Sequence, residues 1–228
     1  MTSTHPLRLV DRWRRRTGTY YRDPRSYWDA RHREHGAALT GVGCVLLDEA
    51  GNRNDYETKW THVRPVLERE TQRGARRILD AGCGIGWFTK QLHPLRFADV
   101  EAFDFSESAA AQAHNNAPNV RVFVSSLEDA RTHRPFDVVM CLDVLFHVVD
   151  DERWARAVAN LASLVASHGA LVIQDSIACS GGEQPAPHVR IRSVDHYCSL
   201  LGTWTLETHD AYALPAEAVG KNLMLFRK

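Results

Sequence analysis

The run Asp80-Ala81-Gly82-Cys83-Gly84-Ile85-Gly86 lies between the branched pair Ile78-Leu79 and Trp87-Phe88-Thr89. This is a strand entering a glycine-rich turn and then a helix. Glycines let the backbone turn tightly and let a ligand approach where a Cβ would otherwise stand. The helix start that follows offers unpaired N–H groups to a polar ligand. A dinucleotide fingerprint beginning at Gly82 needs glycine at position 87, where this chain has Trp. His147 is the other chemically suggestive residue, since an imidazole titrating near neutrality accepts a proton from a hydroxyl as that hydroxyl attacks. It serves equally well to orient a loop. Asp143, four residues earlier, either orients a ligand or is a satisfied loop carboxylate. Cys83 has no partner histidine implied by the sequence and reads as a small residue tolerated between two glycines. The spacing of His188 and His196 is not that of a metal site, and no metal is expected.

The elements that must position these groups are legible from apolar patterning. From residue 76 onward, Ile78-Leu79, Val100 to Phe103, Val120 to Val124, Val138 to Leu142 and Ala170 to Ile173 are short, branched and bounded by Gly, Pro, Asp or Asn. Near-continuous apolar runs of this kind are strands buried on both faces. Between the last two, Trp154, Val158, Leu161 and Val165 recur at helical spacing within Asp151 to Ala166. Alternating strands and helices predict an α/β fold with a doubly wound, mostly parallel sheet. Upstream, Pro24 opens a helix that Gly36 stops, and a second helix is expected from about Asp55 to Arg73. The chain reads as one elaborated domain: an N-terminal helical cap over residues 1–75 and an α/β core over 76–228, with 177–203 as an insertion.

Composition narrows the function classes. The 228 residues are 44% hydrophobic and 25% charged, which excludes a disordered chain, a coiled coil and a collagen-like repeat. Lys+Arg and Asp+Glu are both 28, so no overall basic field advertises nucleic acid. Only Lys59, Lys90, Lys221 and Lys228 are lysines, so arginine dominates the basic residues. Arg12, Arg14, Arg15 and Arg16 surround Trp13, either as an RNA-binding patch or as a solvated helical face with Trp13, Tyr20, Tyr21 and Trp28 packed inward. Five scattered cysteines without a Cys-x-x-Cys pair fit neither a disulfide framework nor a zinc ribbon. With no apolar stretch of about 18 residues, no membrane association and a cytoplasmic location are expected.

The glycine motif and three further segments together resemble the class I S-adenosylmethionine-dependent methyltransferases of the small-molecule type, strongly over about 76–176. The resemblance implies a Rossmann-like sheet of seven strands, the last antiparallel and lying near Leu223 to Phe226. In that family the segment matching Asp80, Gly82, Cys83, Gly84 and Gly86 wraps the methionine moiety of the cofactor. Asp104, with Phe105 beside it, ends the next strand and is placed to accept both ribose hydroxyls in a charge-assisted contact. The other readings are a helix cap at Asp104 and ribose binding by Glu101. The segment holding Ser126 and Leu127 falls where the family cradles adenine, with Ser126 standing where an Asp is common. Cys141, Asp143 and His147 belong to the fourth-strand motif that faces cofactor and acceptor. The Asn/Asp-Pro-Pro-aromatic motif of nucleic-acid amino methyltransferases is absent there.

The resemblance implies S-adenosylmethionine as cofactor and methyl transfer to a small-molecule acceptor, a secondary metabolite or sugar-like compound, with oxygen ahead of nitrogen or carbon. Two other readings stay open at this point. One is a methyltransferase fold turned to cyclisation or elimination, or to service as a partner subunit. The other is an RNA methyltransferase guided by the Arg-rich N-terminus. The 177–203 insertion is expected to cover the acceptor, with Arg190 and Arg192 as anion contacts or as part of a surface helix start.

Overall fold

The computed structural model describes residues 23–44, 46–177, 183–214 and 220–228. The Arg12 to Arg16 cluster lies outside them. The chain enters through α1 (Pro24–His35) and α2 (Glu49–Gln72), and then alternates: β1 (Arg77–Ala81), α3 (Trp87–Gln91), β2 (Asp99–Asp104), α4 (Glu107–Asn116), β3 (Arg121–Val124), β4 (Phe136–Leu142), α5 (Asp151–Ser163) and β5 (Val165–Ser176). A hairpin of β6 (Glu183–Ala186) and β7 (Val189–Ile191) follows, then α6 (Val194–Leu200), β8 (Thr205–Tyr212) and β9 (Lys221–Arg227).

Seven strands form one sheet in the order β3-β2-β1-β4-β5-β9-β8. The first five run parallel, and β9 is antiparallel to both of its neighbours. This is the Rossmann-like methyltransferase sheet expected from the sequence. Its apolar runs are buried because helices cover both faces: Leu79, Val139 and Ile173 face α5, while Ile78, Val138 and Val172 face α2. The order reverses between β1 and β4, so their carboxyl ends diverge and open a crevice between the loops.

The helix limits differ from expectation for local reasons. α2 starts six residues early because Asp48 caps it, its carboxylate accepting the Gly51 N–H at 2.8 Å. α5 ends at Ser163, and Val165 pairs with Phe136 as the first residue of β5 rather than extending the helix.

α2 carries buried charge on its apolar face, and that charge docks it on the sheet. Glu70, 2% exposed, takes a bidentate pair from Arg227 of β9, with both N···O distances 2.7 Å. Lys59 reaches Asp143 beyond the tip of β4 at 2.6 Å. Removing one partner of a buried pair strands the other charge and costs several kcal/mol. Glu70→Ala is therefore expected to lower stability by about 3 kcal/mol, read as a fall in urea midpoint at unchanged slope. A loss below about 0.5 kcal/mol, typical of exposed pairs, would show that Arg227 is satisfied by Glu207 alone.

Candidate active site

The glycine turn is held by the strand beside it. The Gly82 and Cys83 N–H groups both donate to the Phe103 carbonyl, at 2.8 and 3.0 Å. Gly82 has φ +77°, and a Cβ there would lie 2.7 Å from Val144, so glycine keeps the loop after β4 close. Gly86 has φ +78°, and a Cβ there would meet the Ala113 backbone at 2.8 Å. Gly86 thus serves the packing of α3 against α4. Asp80 lies beneath the turn, its carboxylate accepting the Thr89 hydroxyl at 2.6 Å. Burial pushes its pKa up to about 7.

Asp104 stands at the tip of β2. Its Oδ2 accepts the Gly84 N–H and its Oδ1 accepts the Ser106 N–H, both at 2.9 Å. Each oxygen keeps further acceptor capacity, and the residue lines the crevice. Burial raises its pKa to about 6. Glu101, the other acid on β2, is instead paired with Arg121 at 2.8 Å and Arg77 at 3.5 Å.

The crevice encloses about 160 Å³, roughly ten times what one water requires. Of the residues expected to hold a cofactor, Gly82, Cys83, Gly84, Asp104, Phe105, Ser126 and Leu127 line it. Asp80 and Gly86 support the turn from behind. Cys141 is fully buried within the sheet, packed toward α5, and it is Leu142 that reaches the crevice. A side chain one residue inside the strand end points into the core. The Cys83 thiol is held well above its ordinary pKa by burial, so it is no nucleophile. Ser126 spends its hydroxyl on the chain, donating to the Asp129 carboxylate at 2.7 Å and accepting the Asp129 N–H at 3.2 Å. It does not replace the missing acid.

At the far end the two candidate catalytic residues differ sharply. Asp143 has φ +60°, and its carboxylate oxygens are sealed from solvent between Lys59 at 2.6 Å and Lys221 at 3.1 Å. The two ammonium groups hold its pKa well below the usual carboxylate range, against the opposing effect of burial. It cannot act as a base, and it anchors the loop after β4 instead. His147 lies in the short 3₁₀ turn Leu145–His147, with Nδ1 2.8 Å from the His188 carbonyl. Burial lowers its pKa to about 3. The ring is therefore neutral, donating through Nδ1–H and carrying its lone pair on Nε2.

The helical cap expected over this end supplies side chains that the sequence did not single out. α1 lays Trp28 edge-on to His147 at 4.9 Å and stacks His32 on Trp28 at 5.8 Å. The Ser106 hydroxyl donates to Asp29, which fastens α1 beside Asp104. Tyr56 of α2 lines the crevice next to Trp87, with Lys59 over its ring at 4.8 Å. Arg190 and Arg192 both pair with Asp151, at 2.9 and 2.8 Å, so their charge is used within the chain. The one available signal was compositional: two of only four lysines converge on Asp143.

Residues 78–169 match the family profile described as a methyltransferase domain. Over 130 residues it is 31% identical to a ubiquinone biosynthesis O-methyltransferase of Rickettsia conorii, a match covering 53% of this chain and 43% of that protein. It is 37% identical over 78 residues to a malonyl-[acyl-carrier protein] O-methyltransferase of Bacillus cereus, covering 33% of this chain and 29% of that one. The chain thus spans less than half the length of these curated relatives. Its fold resembles magnesium protoporphyrin IX methyltransferase of Synechocystis PCC 6803, solved with bound S-adenosylmethionine, at TM-score 0.72 and 18% identity over 90% of this chain and 95% of that one. Among the described residues no helix is long and apolar enough to cross a membrane.

Gly86→Ala should cost about 2 kcal/mol or more, combining the left-handed φ with the Ala113 clash. Thermal denaturation checks this, and an unchanged midpoint would mean that α3 and α4 separate freely.

Proposed function

We propose that the crevice binds S-adenosylmethionine and that the protein transfers its methyl group to a small-molecule acceptor, preferentially at oxygen. The observation that carries this reading is Asp104: a buried carboxylate at a strand tip, fixed by two backbone N–H groups, with acceptor capacity facing the crevice. A vicinal diol fits that arrangement. The glycine turn admits the methionine moiety without a Cβ in its path, and the backbone at Ser125 to Leu127 walls the adenine end. When bound, the sulfonium supplies a methyl that is already electrophilic.

The chain's own residues supply position and dryness. Trp28 and α1 close the crevice from above, and the Lys59–Asp143–Lys221 ion pairs fix the loop that carries Val144 and His147. His147 lines the crevice beside Trp28, and walls that hold a nucleophile in line can supply much of the rate gain.

Calorimetric titration with S-adenosylmethionine and its demethylated product tests the binding. Micromolar affinity is expected, weakened tenfold or more by Asp104→Ala, about 1.4 kcal/mol. Affinity should also rise with pH from 5 to 7.5, because the raised pKa of Asp104, about 6, leaves it protonated at the acid end and only its carboxylate offers both oxygens as acceptors. Asp104→Asn should flatten that dependence. No binding by a folded wild-type protein would overturn the proposal. Label from methyl-labelled cofactor found only in RNA or protein would overturn the small-molecule acceptor.

A further inference from the structure

We infer that Asp175 is a positioning residue that competes with Asp143 for Lys221, so that a proton on Asp175 decides how firmly the loop after β4 is held. The evidence lies at the end of β5. Its last three residues, Gln174, Asp175 and Ser176, are polar and no more than 5% exposed, after a wholly apolar run from Ala170 to Ile173. Polar groups sealed in a sheet need partners. Gln174 accepts the Tyr212 hydroxyl, and its backbone carbonyl accepts the Asp143 N–H at 2.8 Å. Asp175 accepts the Tyr197 hydroxyl of α6 and the Ser176 N–H, the latter at 2.8 Å. The Ser176 hydroxyl accepts from Lys221 at 3.2 Å. Lys221 pairs with Ser176 across the β5–β9 ladder and reaches Asp143 at 3.1 Å. One ammonium group thus stands between the end of β5 and the loop that Asp143 anchors.

The charges around Asp175 set the sign of the effect. Lys221 of β9 favours its carboxylate, whereas Asp143 opposes it. Tyr197 of α6 and Cys141 of β4 are held neutral by burial, and Arg192 after β7 is paired with Asp151 of α5 at 2.8 Å. Lys59 of α2 holds the other Asp143 oxygen at 2.6 Å. Burial is the largest influence and raises the Asp175 pKa to about 7, while Asp143 stays ionised. Coupling between two sites is reciprocal. Since Asp143 disfavours a charge on Asp175, an ionised Asp175 disfavours Asp143 in its place. With Asp175 protonated, Lys221 is left to Asp143. Once Asp175 ionises, a second carboxylate draws on the same ammonium group and repels the first. The loop is therefore held best below about pH 7 and more loosely above it.

The loop is poised to respond. Asp143 has φ +60°, a left-handed conformation that relaxes when its ion pairs weaken. Val144 lies where a Cβ on Gly82 would meet it at 2.7 Å, and Val144, His147 and Val148 all line the crevice. A slackened loop thus loosens one crevice wall and the packing of the glycine turn.

The test is amide hydrogen exchange in the intact, ligand-free protein between about pH 6 and pH 8, corrected for the intrinsic pH dependence of exchange. The informative amides are those of Asp143, His147 and Val148, which donate to Gln174, Val144 and Leu145. Those of β2, separated from β4 by β1, serve as the reference. Loop protection relative to the reference is expected to fall about threefold or more across this range. Asp175→Asn should keep the acid-end protection at the alkaline end, because a neutral amide leaves Lys221 to Asp143. Tyr197→Phe removes a hydroxyl that favours the carboxylate, so the midpoint should move up by about 0.5 pH unit or more. Loop protection that stays flat or rises with pH in the wild-type protein overturns the inference. So does an Asp175→Asn protein with loop protection reduced across the whole range, the signature of a merely structural residue. If that variant does not fold, Tyr197→Phe decides, and an unchanged or lowered midpoint overturns the inference.

Discussion

One carboxylate joins the parts of this site. Asp104 takes one N–H from the glycine turn after β1 and one from the start of α4, so two loops from different strands are registered on a single side chain. The same Ser106 whose N–H it accepts gives its hydroxyl to Asp29, and this places α1 over the crevice. Loop geometry and roof position therefore share one buried charge. Burial opposes that charge, and the two N–H groups stabilise it only in part, which is why the pKa remains raised. A further pair of donors from a ligand would complete its solvation, so the group is strained toward binding.

A second electrostatic unit holds the opposite end. Asp143 sits in a left-handed conformation that costs a non-glycine residue roughly 1–2 kcal/mol. Two buried ammonium groups offset that cost, one from the N-terminal region and one from β9, at the far end of the sequence. The choice of lysine is informative in a chain that otherwise uses arginine. A compact ammonium fits beside Tyr56 and Phe146, at 4.8 Å from each ring, where a planar guanidinium with five donors would leave several unpaired. The loop carrying Val144 and His147 is thereby fixed to both the cap helix and the last strand.

The sheet was largely legible in the sequence because strands buried on both faces are continuous apolar runs, and a glycine turn after the first of them sets the ligand edge. Asp104 and Gly84 were legible for the same reason: both lie within a few residues of a strand end. The acceptor end was not. Trp28, Tyr56, Lys59 and Lys221 come from three elements far apart in the chain, and nothing local distinguishes a crevice aromatic from a core one. His147 was legible as a residue but not as a state. Its neutrality follows from burial, which outweighs the opposing effect of the His188 carbonyl, 41 residues away. At Cys141 the strand was legible but not the facing: its side chain lies in the core, and the next residue, Leu142, lines the crevice.

Taken together, these charges divide the crevice unevenly. The cofactor end is polar, with Asp104, the paired Glu128 and Arg153, and many backbone groups. At the far end Lys59 and Lys221 are held on Asp143, and Trp28, His32, Tyr56 and His147 line the crevice. Such an arrangement contributes little to breaking an O–H bond and much to holding a molecule dry and in line. Under the proposed reading, a low-polarity wall would favour methyl transfer from a cationic donor, because charge is lost in that step. The fold as such fixes only the crevice edge at the strand tips, and what lines the rest of the crevice comes from the cap helices and the loop after β4.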